Sequence, residues 1–403
     1  MVPKGWTRLP IQDVCETIVD CVNKTAPTVD YETPFKMIRT SNVRDGRVIT
    51  TDVRYVSEDV FDTWTRRGPI KDGDLIFTRE APVGEIGLLE EADGFFLGQR
   101  TMLYRANETT SHNRYLLYTL QSHYCRKQID DYSNGGTVAH MRVPDCGAII
   151  INVPPLPEQR KITQILSTWD KAITTTERLL TNRQQQKKAL MQRLLTGKQR
   201  FAGFEGEWHM SPIRLFIKES RIAGATGDIA KKITVKLYGL GVIAKVEKRL
   251  GSESTKYYTR KAGQFIYSKL DFLNGAFGIV PVELDGYEST LDLPAFDFLA
   301  GVDPKWFMYF VSREEFYISQ LGLANGGRKA RRVNPKDLLD IKIPTPSFKE
   351  QQKIASVLSA ADAEITTIQN QLDNLKQQKK ALMQQLLTGK RRVKVDSPAL
   401  ATQ

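Results

Sequence analysis

The chain has 403 residues, 41% hydrophobic and 26% charged, with 58 lysines and arginines against 46 acidic residues and a formal net charge of +12. That length exceeds one compact core and suits two or three domains. No apolar run approaches the roughly 20 residues that cross a bilayer, and the opening MVPKGWTRLP lacks a signal-peptide core, so a cytoplasmic address is expected.

Cys15, Cys21, Cys125 and Cys146 form no Cys-x-x-Cys pair, which indicates neither a disulfide framework nor a zinc site. The positive balance favours a polyanionic partner, and nucleic acid is the commonest large one.

In chain order, residues 1–153 carry short apolar runs between Gly, Asn and Asp turns. FKMIRT, DLIFT, IGLLE, RTMLYRA and AIIINVP read as strands, and RYLLYTLQSHYCRKQI as a late helical stretch. Residues 154–203 read as one long helix. Residues 204–343 repeat the first pattern, with KITVKLYGL, QFIYSKL, FGIVPVEL and DIKIP as strands and PKWFMYFVSREEFYISQL as helix. Residues 344–391 form a second long helix, and residues 392–403 are expected to be a disordered tail. The fold class is therefore α/β (α+β): two related mixed domains, each followed by a long helix.

The two helices are copies. From Pro154 and from Pro346, at an offset of 192 residues, about 26 of 45 aligned positions are identical, ending in KKALMQRLLTGK and KKALMQQLLTGK. Apolar residues recur at alternating spacings of four and three. The first seam runs Ile162, Leu166, Trp169, Ile173, Thr176, Leu180, Arg183, Lys187, Leu190, Leu194, and the second Ile354, Leu358, Ala361, Ile365, Ile368, Leu372, Leu375, Lys379, Leu382, Leu386.

Such a heptad pattern predicts long helices that pack on another helix, and two equal copies can pair within one chain. Prolines precede each copy, and Gly197 and Gly389 follow. Matched Lys187 and Lys379 on the seam either fix register or mark a place where the seam opens to water.

The domains are related too: DGDLIFTREAPVGEIGLL answers KAGQFIYSKLDFLNGAFGIV, and SNGGTVAHMRV answers ANGGRKARRV. No nucleotide-binding P-loop occurs. GLGVIA at Gly239 to Ala244 lacks the crossover helix of a dinucleotide site, and NVPPL reads as a proline lead into the helix. Asp340 with Lys342 reads as a strand-edge charge pair, and His112, His123, His140 and His209 stand apart. The pattern is that of a binder rather than a catalyst.

PPLPEQRKI at Pro154 to Ile162, the terminal ALMQRLLTGK, and FKMIRTSNVRDGRV, DGDLIFTREAPVGEIG and KAGQFIYSKL within the domains resemble the specificity subunit of type I restriction-modification systems. PSFKEQQKI departs from the motif at Phe348 and Lys349. The resemblance implies two target-recognition domains on the halves of a split double-stranded DNA target, with the helices packed antiparallel under pseudo-twofold symmetry as a spacer.

It also implies two methyltransferase subunits, with two restriction (translocase-nuclease) subunits able to join. The chain itself would hold no cofactor; S-adenosylmethionine, ATP and Mg would belong to those partners, whose complex would be a DNA adenine methyltransferase and ATP-dependent endonuclease. A non-enzymatic coiled-coil adaptor or RNA-binding scaffold is the alternative.

Base edges are read by Arg or Lys at guanine and Asn or Gln at adenine, and phosphates by positive charge. The first-domain candidates are Thr40, Ser41, Asn42 and Arg44, then Arg79, Gln99 and Arg100, then Asn134 with Arg142. The second-domain candidates are Lys269 and Asn274, and Asn325 with Arg328, Lys329, Arg331 and Arg332.

Overall fold

The computed structural model describes residues 2–133, 139–246, 251–323 and 331–395. It divides into two compact units, residues 1–177 with 371–403, and residues 178–370. The proline-rich leads predict boundaries at the helix starts, but the units part inside both long helices. The reason is burial. Ile162 and Leu166 of the first helix share a core with Phe77, Tyr104, Leu386 and Leu387, whereas Ile354 and Leu358 of the second share one with Phe265, Trp306, Leu194 and Leu195.

In the first unit Thr7–Pro10 pairs antiparallel with Ile150–Val153, the strand that leads into the first long helix. A six-stranded sheet runs in the order Cys15–Asp20, Thr101–Ala106, Leu75–Thr78, Ile86–Leu88, Gly46–Val48, Val43–Arg44. Leu75–Thr78 is buried at every position, which is why it reads as an unbroken apolar run. The expected helix is broken into Asn113–Gln121 and His123–Ser133, because extended Ser122 accepts a hydrogen bond from Cys125 N and starts a new helix.

The second unit repeats this plan. His209–Pro212 pairs with Lys342–Thr345, and a four-stranded sheet runs Ile217–Ser220, Ala295–Phe298, Phe265–Tyr267, Phe277–Ile279. Even turn chemistry recurs: Lys71 N donates to Asp74 Oδ2 (2.7 Å) and Lys261 N to Gln264 Oε1 (2.9 Å). Most pairings are antiparallel, and Lys36–Ile38 with Phe95–Leu97 is parallel, so the domains are α+β.

The long helices span Leu156–Leu194 and Phe348–Leu387. In the first unit Glu158 pairs with Arg392, Asp170 with Lys379 and Glu177 with Lys376. In the second, Arg183 pairs with Glu364, Lys187 with Asp362 and Arg200 with Glu350. Numbers rise on one helix as they fall on the other, so the helices pack antiparallel.

Ile162, Leu166, Leu180, Leu194, Ile354, Leu358, Ile368, Leu372 and Leu386 are buried. Trp169, Ile173, Leu190, Ile365, Leu375 and Leu382 are half-buried.

The seam lysines do not open to water. Lys187 Nζ lies 2.5 Å from Asp362 Oδ1 and 5.3 Å from the Tyr309 ring centre, and Tyr309 donates to Asp362 Oδ2 at 2.6 Å. At the shifted positions, Lys379 Nζ lies 2.6 Å from Asp170 Oδ1 and 5.2 Å from the Tyr118 ring, and Tyr118 donates to Asp170 Oδ2 at 2.5 Å. Burial and the bond to Asp362 push the Tyr309 hydroxyl up to about 12, so it stays a donor.

The ends of the repeat close each unit. Gly197 and Gly389 take φ of +72° and +69°, left-handed caps that a side chain would strain. Gln199 N then donates to Arg193 O, and Arg391 N to Gln385 O, so the one position that differs within the twelve residues is used through its carbonyl. The turn delivers Arg200 to Glu350 (2.9 and 2.8 Å) and Arg392 to Glu158 (2.6 and 2.8 Å). Trp208 Nε1 and Trp6 Nε1 donate to the same two buried carboxylates.

The neighbouring Gln159 accepts from His112 N and donates to Thr110 O, and Gln351 accepts from Asp303 N and donates to Gly301 O. The Glu-Gln pair shared by both copies therefore ties a helix start to a domain loop. The tail expected from residue 392 is corrected in part, since Arg392 is paired and Val393 packs on the first core. Residues 396–403 lie outside the described residues.

Candidate nucleic-acid interface

In the first unit several candidates converge on the end of strand Leu75–Thr78. Arg79 N donates to Arg100 O and Met141 N to Arg79 O, which brings residues 79, 100 and 140–142 together. Arg100 has φ of +70° and an exposed guanidinium whose Nε lies 2.7 Å from Glu80 Oε2. His140 Nδ1 lies 2.5 Å from Glu80 Oε1. Arg142 donates to both Asp145 carboxylate oxygens (2.7 and 3.0 Å), and those bonds raise its pKa and keep its cation on the surface. Asn134 lies outside the described residues, between the helix end at Ser133 and this cluster.

Two candidates are corrected. Arg79 is 6% exposed, bonded to Asp20 (3.0 Å) and Met141 O (3.3 Å), and so braces the fold rather than facing solvent. Asn42 is 1% exposed; its Oδ1 accepts from Arg39 N and its Nδ2 donates to Ile49 O and Asp52 O. A buried amide with those bonds filled has no donor left for a base.

Around it Thr40 is half-buried, while Ser41 and Arg44 are exposed, with Arg44 donating to Ser41 O at 2.8 Å. Gln99 is half-buried and accepts from Thr25 Oγ1.

The second unit repeats the convergence. Val333 N donates to Lys269 O as Met141 N does to Arg79 O, and Lys269 N donates to Asp292 O. Arg332 Nε lies 3.6 Å from Asp292 Oδ1, and Arg331 and Arg332 are exposed. Lys269 is half-buried, and exposed Asn274 uses its carbonyl to hold Tyr238 N at 2.9 Å. Asn325, Arg328 and Lys329 lie outside the described residues, in the segment between Leu323 and Arg331.

No local pattern singles out the anchors Glu80 and Asp292. Each meets its cation only after the chain returns from 20 to 60 residues away.

Among the described residues no group of acids, histidines and cysteines could hold a metal ion, and no helix is long and apolar enough to cross a membrane. Gly239 and Gly241 sit in a β-hairpin loop rather than a nucleotide cradle, and Asp340 pairs with Arg214 (2.7 Å). Burial raises all four thiols, Cys15, Cys125 and Cys146 to about 12 and Cys21 in the same direction, which leaves them inert.

The profile of a family described as "Type I restriction modification DNA specificity domain" matches residues 3–182 and 303–377. A Methanocaldococcus jannaschii chain provisionally named the MjaX specificity subunit of a type I restriction enzyme is 27% identical over 98% of this chain and 95% of its own length. The MjaVIII specificity subunit of the same organism is 23% identical over 98% and 94%. The solved S subunit of a type I restriction-modification system from M. genitalium has a TM-score of 0.59 at 13% identity, covering 96% of this chain and 99% of its own.

Proposed function

The chain belongs to the type I restriction modification DNA specificity family, and from that premise we propose how it reads DNA. It is a non-catalytic specificity subunit. Residues 1–153 and 204–343 each read one half of a split target, and the paired helices hold the halves apart. Exposed Arg44, Arg100, Arg142, Arg331 and Arg332, with Ser41 and Asn274, supply phosphate and base contacts. Two methyltransferase subunits, with room for two restriction subunits, assemble on the repeat-matched ends of the helices. S-adenosylmethionine, ATP and Mg belong to those subunits. Family membership gives no support to the adaptor or RNA-scaffold alternative.

The observation that carries this reading is the contrast between what repeats and what does not. Helix ends, Asp-Lys-Tyr clusters and Glu-Trp-Arg closures recur residue for residue, while the exposed loops differ. Identical partners need identical surfaces, and unlike half-sites need unlike ones.

The test is to produce the chain with the methyltransferase encoded beside it and to sequence the methylated genomic DNA. A bipartite motif with unlike halves is expected, and an uninterrupted or palindromic motif would refute the reading. Deleting one heptad from both helices shortens the rod by about 10 Å, roughly three base pairs of duplex, and should shorten or abolish the gap.

A further inference from the structure

Two hairpins occupy the same place in the two units. In the first, Val43–Arg44 pairs with Gly46–Val48 around Asp45 and Gly46, both left-handed (φ +53° and +80°) as a type I′ turn requires. In the second, Ile233–Val235 pairs with Val242–Ala244 around residues 236–241.

Close approaches set the equivalence. A Cβ on Gly87 would lie 2.4 Å from the Arg47 backbone, and one on Gly278 would lie 2.6 Å from Val242 Cγ2. A Cβ on Gly46 would meet Gln121, at the end of Asn113–Gln121, and one on Gly239 would meet Ser312, at the end of Pro304–Val311.

The tips differ in chemistry. The first carries Arg44, Asp45 and Arg47, and Arg47 bonds Thr174 on the long helix. The second carries Leu237, Tyr238 and Leu240, exposed to 37%, 68% and 70%. It is rigidly held: Tyr238 N donates to Asn274 O (2.9 Å), Gly239 N to Gly275 O (2.7 Å) and Lys236 N to Gly241 O (2.8 Å). Tyr238 itself has φ of +58°, a conformation uncommon for a bulky side chain. Lys231 and Lys236 beside the tip are exposed, whereas Lys232 is buried over the Tyr257 ring.

Resting on the DNA-reading function above, we propose that this tip is an apolar wedge that enters duplex DNA at the half-site read by the second domain. Tyr238 and Leu240 press against a base step, and exposed Lys231 and Lys236 face the phosphates.

Duplex DNA is favoured over a partner subunit by the two units themselves. Two copies of one subunit dock on surfaces that repeat, whereas this tip is charged in one unit and apolar in the other. A feature that differs between the halves belongs with the part of the target that differs. Preformation matters because a rigid tip loses little freedom on insertion.

The test uses the full chain produced with its methyltransferase, comparing wild type, Tyr238→Asn with Leu240→Ser, Tyr238→Asn alone and Tyr238→Phe. Asparagine tolerates a left-handed backbone, so the single variant keeps the turn and decides the matter should the double variant melt early.

The expected result is at least a tenfold loss of methylated sites, or a motif degenerate in one half only, with the methyltransferase still copurifying and Tyr238→Phe near wild type. An unchanged motif and methylated fraction would overturn the wedge, as would loss of copurification, which would place the tip against the subunit. Absence of any bipartite motif with the wild-type chain would instead overturn the DNA-reading function itself.

Discussion

Replacing Lys379 with methionine tests what the polar seam contributes. The substitution keeps an unbranched side chain on the seam but removes the ammonium that sits 2.6 Å from Asp170 Oδ1 and 5.2 Å from the Tyr118 ring. A charge-assisted hydrogen bond contributes about 1.5–3 kcal/mol, and a buried pair broken on one side costs about 3–5 kcal/mol. The lysine side chain is 17% exposed but Asp170 is 36% exposed, and Tyr118 remains a donor to it, so solvent and the phenol relieve part of that cost. The expectation is about 1–2 kcal/mol of destabilisation, or about 2–4 °C in Tm per kcal/mol for a unit of this size.

Asp170→Ala should cost a similar amount. The double variant should cost less than the sum by about 1 kcal/mol, because the second change removes a charge already stranded by the first. Thermal melts at low salt and at 1 M salt measure this, and the coupling should shrink at high salt. Additive single effects would refute the claim that the lysine and the aspartate act as a pair. The same cycle on Lys187 and Asp362 should give a matching coupling.

Arg392→Ala should lower Tm by an amount corresponding to about 2 kcal/mol, because Glu158 keeps only its bond from Trp6, whereas Arg391→Ala beside it should stay within about 0.5 kcal/mol. Burial, then Arg160 and Arg114, lower the His112 pKa below the usual 6.5, so the unfolded chain takes up the proton first as pH falls. Stability should therefore drop as pH is lowered below about 6.5, and His112→Gln should flatten that slope in melts taken between pH 5 and 7. Arg44→Ala or Arg331→Ala should each lower the slope of log binding against log salt by about 1 on duplex carrying the methylated motif; an unchanged slope would remove that residue from the phosphate contacts.

Features set by neighbours along the chain are legible in the amino-acid order alone. The four-and-three spacing specifies the two helices, and the basic residues past Gly197 and Gly389 mark their ends. The alternation of apolar runs with Gly and Asn turns specifies strands that bury their faces. The break at Ser122 is not legible in that way, because it depends on one hydroxyl accepting a backbone bond.

The candidate interface is legible in composition but not in exposure. Arg79 and Asn42 carry the chemistry of base readers, yet Asp20 and the Ile49–Asp52 turn claim their donors.

By itself the sequence determined the duplication, the presence of two long helices, the α+β class and the family resemblance, since each is written in local spacing or in a repeat at constant offset; the helices end earlier than the repeat, at Leu194 and Leu387. Only the tertiary structure decided that Lys187 and Lys379 are clamped, that Glu158 and Glu350 close the units through Arg392 and Arg200, and that one hairpin tip is charged and its counterpart apolar. The clamps and closures depend on groups 150 to 234 residues apart meeting within about 3 Å, and the tips' exposure on which segments pack beside them, and no local pattern encodes either.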